Sequence, residues 1–364
     1  MTRRRLKHAA GVAALFVPAL AGATNGYLPH GYGMKALGMG GAGIAYPQDA
    51  IAAAINPAGM AMVGNRIDFG LSWFHPTRKS EIVGNCFNPP SCTANADGTY
   101  NGNKDSDFFL PEFGYNRMLN PNLSLGVSVF GNGGMNTTYK TPVPLFGTSN
   151  PGVDLMQLFV TPTVGYKIAP QHAIGLGVNL AYQRFKAHGL ENFTASSGPQ
   201  QFSAFPANVT NRGYDDSFGA GVRVGYLGQL TRQFSVGLTY QTKTSMGDFG
   251  KYKGLFAQEG GFDIPANYGV GVAFKATPTF NVAFDVVRIE YSEIKSIANP
   301  LLPNLFQAPL GTSGGAGFGW EDITVFKLGA DWAMRPDLTL RAGTTVAISR
   351  SPAAKPCSTF SHPA

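Results

Sequence analysis

The 364-residue chain has no unbroken run of 18 apolar residues, so no part of it crosses a bilayer as a helix. Charge is scarce as well. Asp, Glu, Lys and Arg together make up 13% of the residues, about half the share of an average soluble domain. The formal net charge of +7 includes Arg3, Arg4, Arg5 and Lys7, which leaves +3 without them. Setting aside Arg350 and Lys355 in the terminal stretch brings the remainder to about +1, so the basic balance gives no footprint for nucleic acid. Cysteine is nearly absent. Cys86 and Cys92 share a loop rich in Asn, Pro and Gly, where a small loop-closing disulfide is expected once the chain is exported; Cys357 is left over. His30, His75, His172 and His188 are scattered without metal-ligand or triad spacing, so no cofactor, metal or catalytic residue is assigned.

What the chain has in excess is glycine, 47 residues, together with 12% aromatics. It opens on a secretory signal, residues 1–23. Arg3 to Lys7 supply the charged start, Ala9 to Leu20 a short apolar core, and Ala21-Gly22-Ala23 a small-residue cleavage site.

From residue 66 onward the sequence returns repeatedly to strict alternation. Ile174, Leu176, Val178, Leu180 and Tyr182 alternate with Gly175, Gly177, Asn179, Ala181 and Gln183; Phe218 to Tyr226 and Phe234 to Tyr240 behave the same way. Strand side chains point to opposite faces in turn, so each run has one greasy face and one small or polar face. A soluble sandwich alternates too, and connection lengths separate the two cases. About eleven strands are expected, the first over 66–83. Tight turns such as Asn120-Pro121, Pro170-Gln171 and Pro336-Asp337 alternate with long connections over 84–106, 140–155, 189–216, 251–265 and 295–322. That rhythm predicts an all-β, antiparallel up-and-down transmembrane β-barrel over 66–343, with tight periplasmic turns and long external loops. Tyr166, Tyr182 and Tyr240 fall where an interfacial girdle would sit. Lys167, Arg223, Lys243, Lys327, Arg341, Asp285 and Asp331 are expected to face the lumen as a salt-bridge network.

Residues 24–65 do not alternate. Gly38, Gly40, Gly41 and Gly43 precede an Ala-rich stretch with a short helix expected over 49–55, ended by Asn56-Pro57. The glycine spacing imitates a dinucleotide fingerprint, but neither a preceding strand nor a βαβ unit accompanies it. The segment reads as a plug packed in the lumen.

Asn25-Gly26-Tyr27-Leu28-Pro29-His30-Gly31-Tyr32-Gly33-Met34-Lys35, then Gly38-Met39-Gly40-Gly41-Ala42, then Asn56-Pro57-Ala58, resembles the start of the outer-membrane long-chain fatty acid and aromatic hydrocarbon transporter family. Phe130-Gly131-Asn132-Gly133-Gly134-Met135-Asn136, Phe318-Gly319-Trp320 and Leu338-Thr339-Leu340-Arg341-Ala342-Gly343 resemble it too. The resemblance implies a fourteen-stranded barrel, of which about eleven strands are present, and a hatch carrying Asn56, Pro57 and Ala58. It also implies a kinked third strand at Gly131, Asn132, Gly133 and Gly134 that opens the wall sideways. Glycines that interrupt alternation agree with such a bulge. Phe193, Phe202, Phe205, Leu255, Phe256 and Phe262 in the external loops are expected to capture a greasy ligand.

After Gly343 no alternation is read, and residues 344–364 are expected to be an aberrant tail, the product of a one-nucleotide deletion. The sheet would then be open, with unpaired edges, and unable to insert. The function expected is passive, hatch-gated uptake of fatty acids or aromatic hydrocarbons with lateral exit at the third strand. Its partners would be a hydrophobic ligand, outer-membrane lipid and lipopolysaccharide, and the barrel assembly machinery, for a monomer. A lipid-modifying enzyme and a general porin are the alternatives.

Overall fold

Alternating side chains build one continuous wall. The computed structural model describes residues 25–84, 96–195 and 201–349; the signal segment and the Cys86–Cys92 pair lie outside the described residues. In chain order the strands are β1 (Arg66–Phe74), β2 (Lys79–Ile82), β3 (Gly98–Asn101), β4 (Phe108–Met118), β5 (Leu123–Thr138), β6 (Gly152–Ala169) and β7 (His172–His188). They continue with β8 (Asp215–Gln229), β9 (Phe234–Gln241), β10 (Ser245–Met246), β11 (Asn267–Thr277), β12 (Phe280–Ile289), β13 (Ile323–Arg335) and β14 (Leu338–Ser349). The wall order is β1-β4-β5-β6-β7-β8-β9-β11-β12-β13-β14, with β10 paired to β8 and β2 paired to β3 in a separate hairpin. Every wall strand is antiparallel to its sequence neighbour, as an up-and-down barrel requires. Among the described residues β1 and β14 are the two edges and do not pair.

Eleven wall strands agree with the sequence expectation, and the tight turns fall where it put them. Two boundaries differ. The run 66–83 is two strands: β1 ends at Phe74, just before Pro76, which lacks the N–H a ladder needs, and β2 pairs instead with β3. The wall also continues past Gly343, because β14 pairs with β13 as far as Ser349 opposite Ile323. The alternation there is hidden because Thr345 and Ala347 on one face are small, while Val346 and Ile348 on the other are exposed.

Polarity is inverted relative to a soluble sheet. On β7, Ile174, Leu176, Val178 and Leu180 are exposed, whereas Ala173, Asn179, Ala181 and Gln183 are buried. Neighbouring strands repeat this, with Val222, Val224, Leu238, Val270, Phe284, Leu328 and Leu340 all exposed. An apolar band of this extent exceeds any patch a soluble monomer carries and is stable only against lipid. Tyr166 and Trp332 lie toward the tight-turn end, and Tyr240 and Tyr268 toward the long-loop end, so the band has an aromatic residue line at both margins. No described helix is long and apolar enough to cross a membrane.

Candidate hatch, chamber and wall bulge

The lumen is filled by residues 25–64, and the wall receives them on glycine. Gly225 faces the Asn56 side chain, Gly175 faces the backbone of Pro57 and Ala58, and Gly165 faces Ala61. Farther round, Gly237 abuts Ile44, while Gly329 and Gly343 abut Met39. A Cβ at any of these positions would enter the hatch, which accounts for much of the chain's excess of glycine.

Asn56, Pro57 and Ala58 form the central fastening. Pro57 begins a 3-10 helix, Pro57–Ala61, with Asn56 as its N-cap in extended conformation. The Asn56 Oδ1 accepts from Ala58 N at 3.1 Å. Its Nδ2 donates to Ile44 O at 2.8 Å and to Tyr226 O of β8 at 2.9 Å, so one side chain caps the helix and ties it to the wall.

Charged wall residues hold the hatch more than one another. Asp285 accepts from Gly43 N at 2.7 Å and Ile44 N at 3.0 Å, and it stands directly across the ladder from Lys327. Arg223 Nη1 donates to Ile55 O at 3.2 Å; Tyr46 donates to Asp331 at 2.9 Å; Arg341 Nε donates to Gln48 Oε1 at 3.2 Å. Arg223, Asp285, Lys327 and Asp331 are buried as expected for lumenal groups. Lys243 differs: it pairs with Asp263 at 2.8 Å and remains 40% exposed. Within the hatch, burial and then the neighbouring Asp68 carboxylate raise the Asp49 carboxyl above its ordinary range. Burial likewise pushes the Tyr32 phenol up to about 12, so it remains protonated at neutral pH.

The bulge lies on β5. Its register against β6 shifts between Gly131 and Gly133, which leaves Asn132 as the extra residue without a Cα partner. The start of the hatch occupies this irregularity. Gly134 N donates to Tyr27 O at 3.0 Å, and a Cβ on Gly133 would collide with the same oxygen. Tyr32 donates to Asn132 Oδ1 at 2.9 Å from inside.

Beside the hatch is a close-packed aromatic cluster of Tyr27, Phe185, Phe249, Phe256, Phe262 and Tyr291. Ring centroids are 4.6 Å apart for Phe185–Phe256, 4.9 Å for Phe256–Phe262 and 5.6 Å for Tyr27–Tyr291. The six predicted capture residues therefore divide into two groups and one residue set apart from both. Phe256 and Phe262 are buried here, with Leu255 packed against them, because the 251–265 connection folds inward. Phe193 and Phe202 belong to an outer row, Phe146–Phe193–Phe202–Phe306, spaced 6.2, 5.7 and 6.5 Å. Phe306 is 56% exposed, and Leu301 and Leu302 lie nearby in sequence, also exposed. Phe205 is set apart under Lys253, whose Nζ sits 4.4 Å from its ring centre. Sequence reasoning missed Phe146, Phe306, Phe185 and Tyr291. The two loop phenylalanines could have been found by counting aromatics across all five long connections.

These features define a class: an outer-membrane β-barrel protein with an N-terminal plug packed against the inner face of its wall. The family model described as outer membrane protein transport protein (OMPP1/FadL/TodX) matches residues 15–361, and the chain belongs to that family. Among solved structures it is similar to the Ralstonia pickettii toluene transporter TbuX, with 18% identity, coverage of 88% of this chain and 87% of that one, and a TM-score of 0.61. The Pseudomonas putida toluene transporter TodX matches at 20% identity, 89% and 85% coverage, and a TM-score of 0.64. A Pseudomonas aeruginosa FadL homologue matches at 14% identity, 88% and 80% coverage, and a TM-score of 0.58. At these identities the likeness shows the fold. A search of curated proteins finds no match.

Proposed function

We propose that this outer-membrane protein passes small hydrophobic molecules, fatty acids or aromatic hydrocarbons, by passive diffusion with lateral exit through the β5 bulge. The outer row Phe146, Phe193, Phe202 and Phe306 takes the molecule from the external medium. The packed cluster of Phe185, Phe249, Phe256 and Phe262 parts into a chamber that receives it, the hatch bars the way to the periplasm, and the molecule leaves sideways into the lipid. The solved toluene transporters share the fold, which favours a hydrocarbon cargo.

The observation that carries this reading is the position of Tyr27. Its ring packs against Phe262 at 5.9 Å inside the aromatic cluster, while its carbonyl closes the bulge through Gly134. One residue therefore touches both the chamber and the proposed exit, and cargo that displaces the ring also disturbs the closure. No energy source is required for movement down a gradient. A general porin is disfavoured because hatch residues fill the lumen, and a lipid-modifying enzyme would need a nucleophile paired with a base at the rim. The protein acts as a monomer, contacting outer-membrane lipid and lipopolysaccharide through its apolar band after delivery by the barrel assembly machinery.

The test is uptake of labelled toluene and labelled oleate by cells carrying the wild type or a variant with Gly131, Gly133 and Gly134 all changed to Val. Filling the bulge is expected to lower uptake at least tenfold while the barrel remains in the outer membrane. Uptake at the wild-type rate would reject the lateral route. Release of fatty acid from phospholipid by the purified protein would instead favour an enzyme.

A further inference from the structure

Three buried amide side chains on the inner faces of β5, β6 and β7 form a directed row. Asn132 Nδ2 donates to Gln157 Oε1 at 3.2 Å, Gln157 Nε2 donates to Gln183 Oε1 at 3.1 Å, and Gln183 Nε2 donates to Phe262 O at 3.0 Å. At the other end Tyr32 of the hatch donates to Asn132 Oδ1. All three amides are at most 1% exposed. The row thus begins on the hatch, passes through the extra residue of the bulge, and ends on the loop that supplies Phe256 and Phe262 to the chamber.

Its direction is fixed from the end. The Phe262 carbonyl can only accept, so Gln183 must turn its NH2 toward the loop and its oxygen toward Gln157. Gln157 must then turn its NH2 toward Gln183 and its oxygen toward Asn132. If the loop withdraws the Phe262 carbonyl, the Gln183 NH2 is left buried without a partner, a loss that a buried donor does not tolerate cheaply. Turning the amide over to repair it reverses each link in sequence, and Asn132 then presents its NH2 to Tyr32.

We propose that Asn132, Gln157 and Gln183 are positioning residues that couple the chamber loop at Phe262 to the closure of the β5 bulge. The proposal rests on the lateral-exit reading for its role in transport, but the coupling is measurable without transport. A row of this kind has a signature that ordinary wall packing lacks, because its links act in series. Cutting any one link removes the whole effect, and cutting two does no more than cutting one.

The experiment is hydrogen exchange followed by mass spectrometry on the full-length protein in lipid, read at the peptide containing Gly134. Gln183→Met removes both links of that residue with little change in shape, and Gln157→Met cuts the middle of the row independently, should the first variant not fold. Each is expected to speed exchange at Gly134 about fivefold, and the double variant by the same factor. The control is Asn179→Leu on the same strand. Asn179 is equally buried and bonded to Thr161 and Gln241, but it lies outside the row, and its loss is expected to leave Gly134 unchanged. Wild-type exchange at Gly134 in both Met variants overturns the proposal, as does equal acceleration by Asn179→Leu or additive acceleration in the double variant. The lateral exit stands or falls separately, on uptake by the Val-filled bulge.

Discussion

The carbonyl of Tyr27 accepts a hydrogen bond from the amide of Gly134 at 3.0 Å, so the first described turn of the hatch closes an irregularity in the third wall strand. Plug and wall are therefore one hydrogen-bonded unit at the point where the sheet is least regular, and changes in either should be felt in the other.

The wall glycines that receive the hatch supply the first prediction. Gly175→Val places a side chain against Pro57 and Ala58, while valine suits a strand better than glycine does. The barrel is expected to assemble with the hatch dislodged. Faster exchange over residues 50–61, together with increased entry of a hydrophilic dye into cells, would show it; wild-type values in both would count against a tight seat.

At Asn56 two replacements are expected to differ in rank. Asn56→Ala loses the cap and both donated bonds, with about 1 kcal/mol attributable to the cap alone. Asn56→Asp keeps an acceptor for Ala58 N but turns a carboxylate oxygen toward the carbonyls of Ile44 and Tyr226. Limited proteolysis of the hatch should therefore be faster for Asp than for Ala, and the reverse order would show that the cap dominates the fastening.

Asp285 and Lys327 should be coupled. Asp285→Leu alone leaves a buried cation without its cross-strand carboxylate and frees the Gly43 and Ile44 amides, with an expected loss of about 3–5 kcal/mol. Adding Lys327→Met is expected to recover part of that loss. Denaturant unfolding of the two variants in detergent checks it, with a double variant no more stable than Asp285→Leu as the contrary outcome.

Hatch docking should also depend on pH through Asp49. Its carboxyl is raised in the docked state, first by burial and then by Asp68, so the docked state holds the proton more tightly than the released one. The favourable contribution is complete below the ordinary carboxyl range and is lost as pH rises through the raised value. Asp49→Asn can still accept from Ile51 N and should dock better than wild type at neutral pH, with the difference vanishing in acid. Proteolysis of the hatch at neutral and acid pH measures this; a pH-independent difference would assign the effect to something other than the Asp49 proton.

Strand number and turn positions were legible because a strand facing lipid on one side has a strict two-residue period, and residues such as Ile174 and Leu176 cannot be placed otherwise. The period was missed where the inner face carries only small residues, as at Thr345 and Ala347, and there the wall extends farther than the pattern suggests. The glycine run 131–134 marked the bulge, but nothing local shows that Tyr27, more than a hundred residues earlier, closes it. Loop positions were the least legible. Phe202 and Phe262 look alike in sequence, yet one is half-buried in an outer row and the other fully enclosed, a difference that the folding of connection 251–265 alone decides.

Because the wall presents glycine at many of the places where the hatch rests, much of the contact there is against bare main chain. A stopper seated in this manner has few teeth to disengage and is held by a small set of polar pins such as Asn56 and Asp285, each worth about 1 kcal/mol net for a neutral hydrogen bond and more for a charged one. A shift of a few ångströms can then be made by releasing pins one at a time, while the surrounding wall keeps every rung of its ladder.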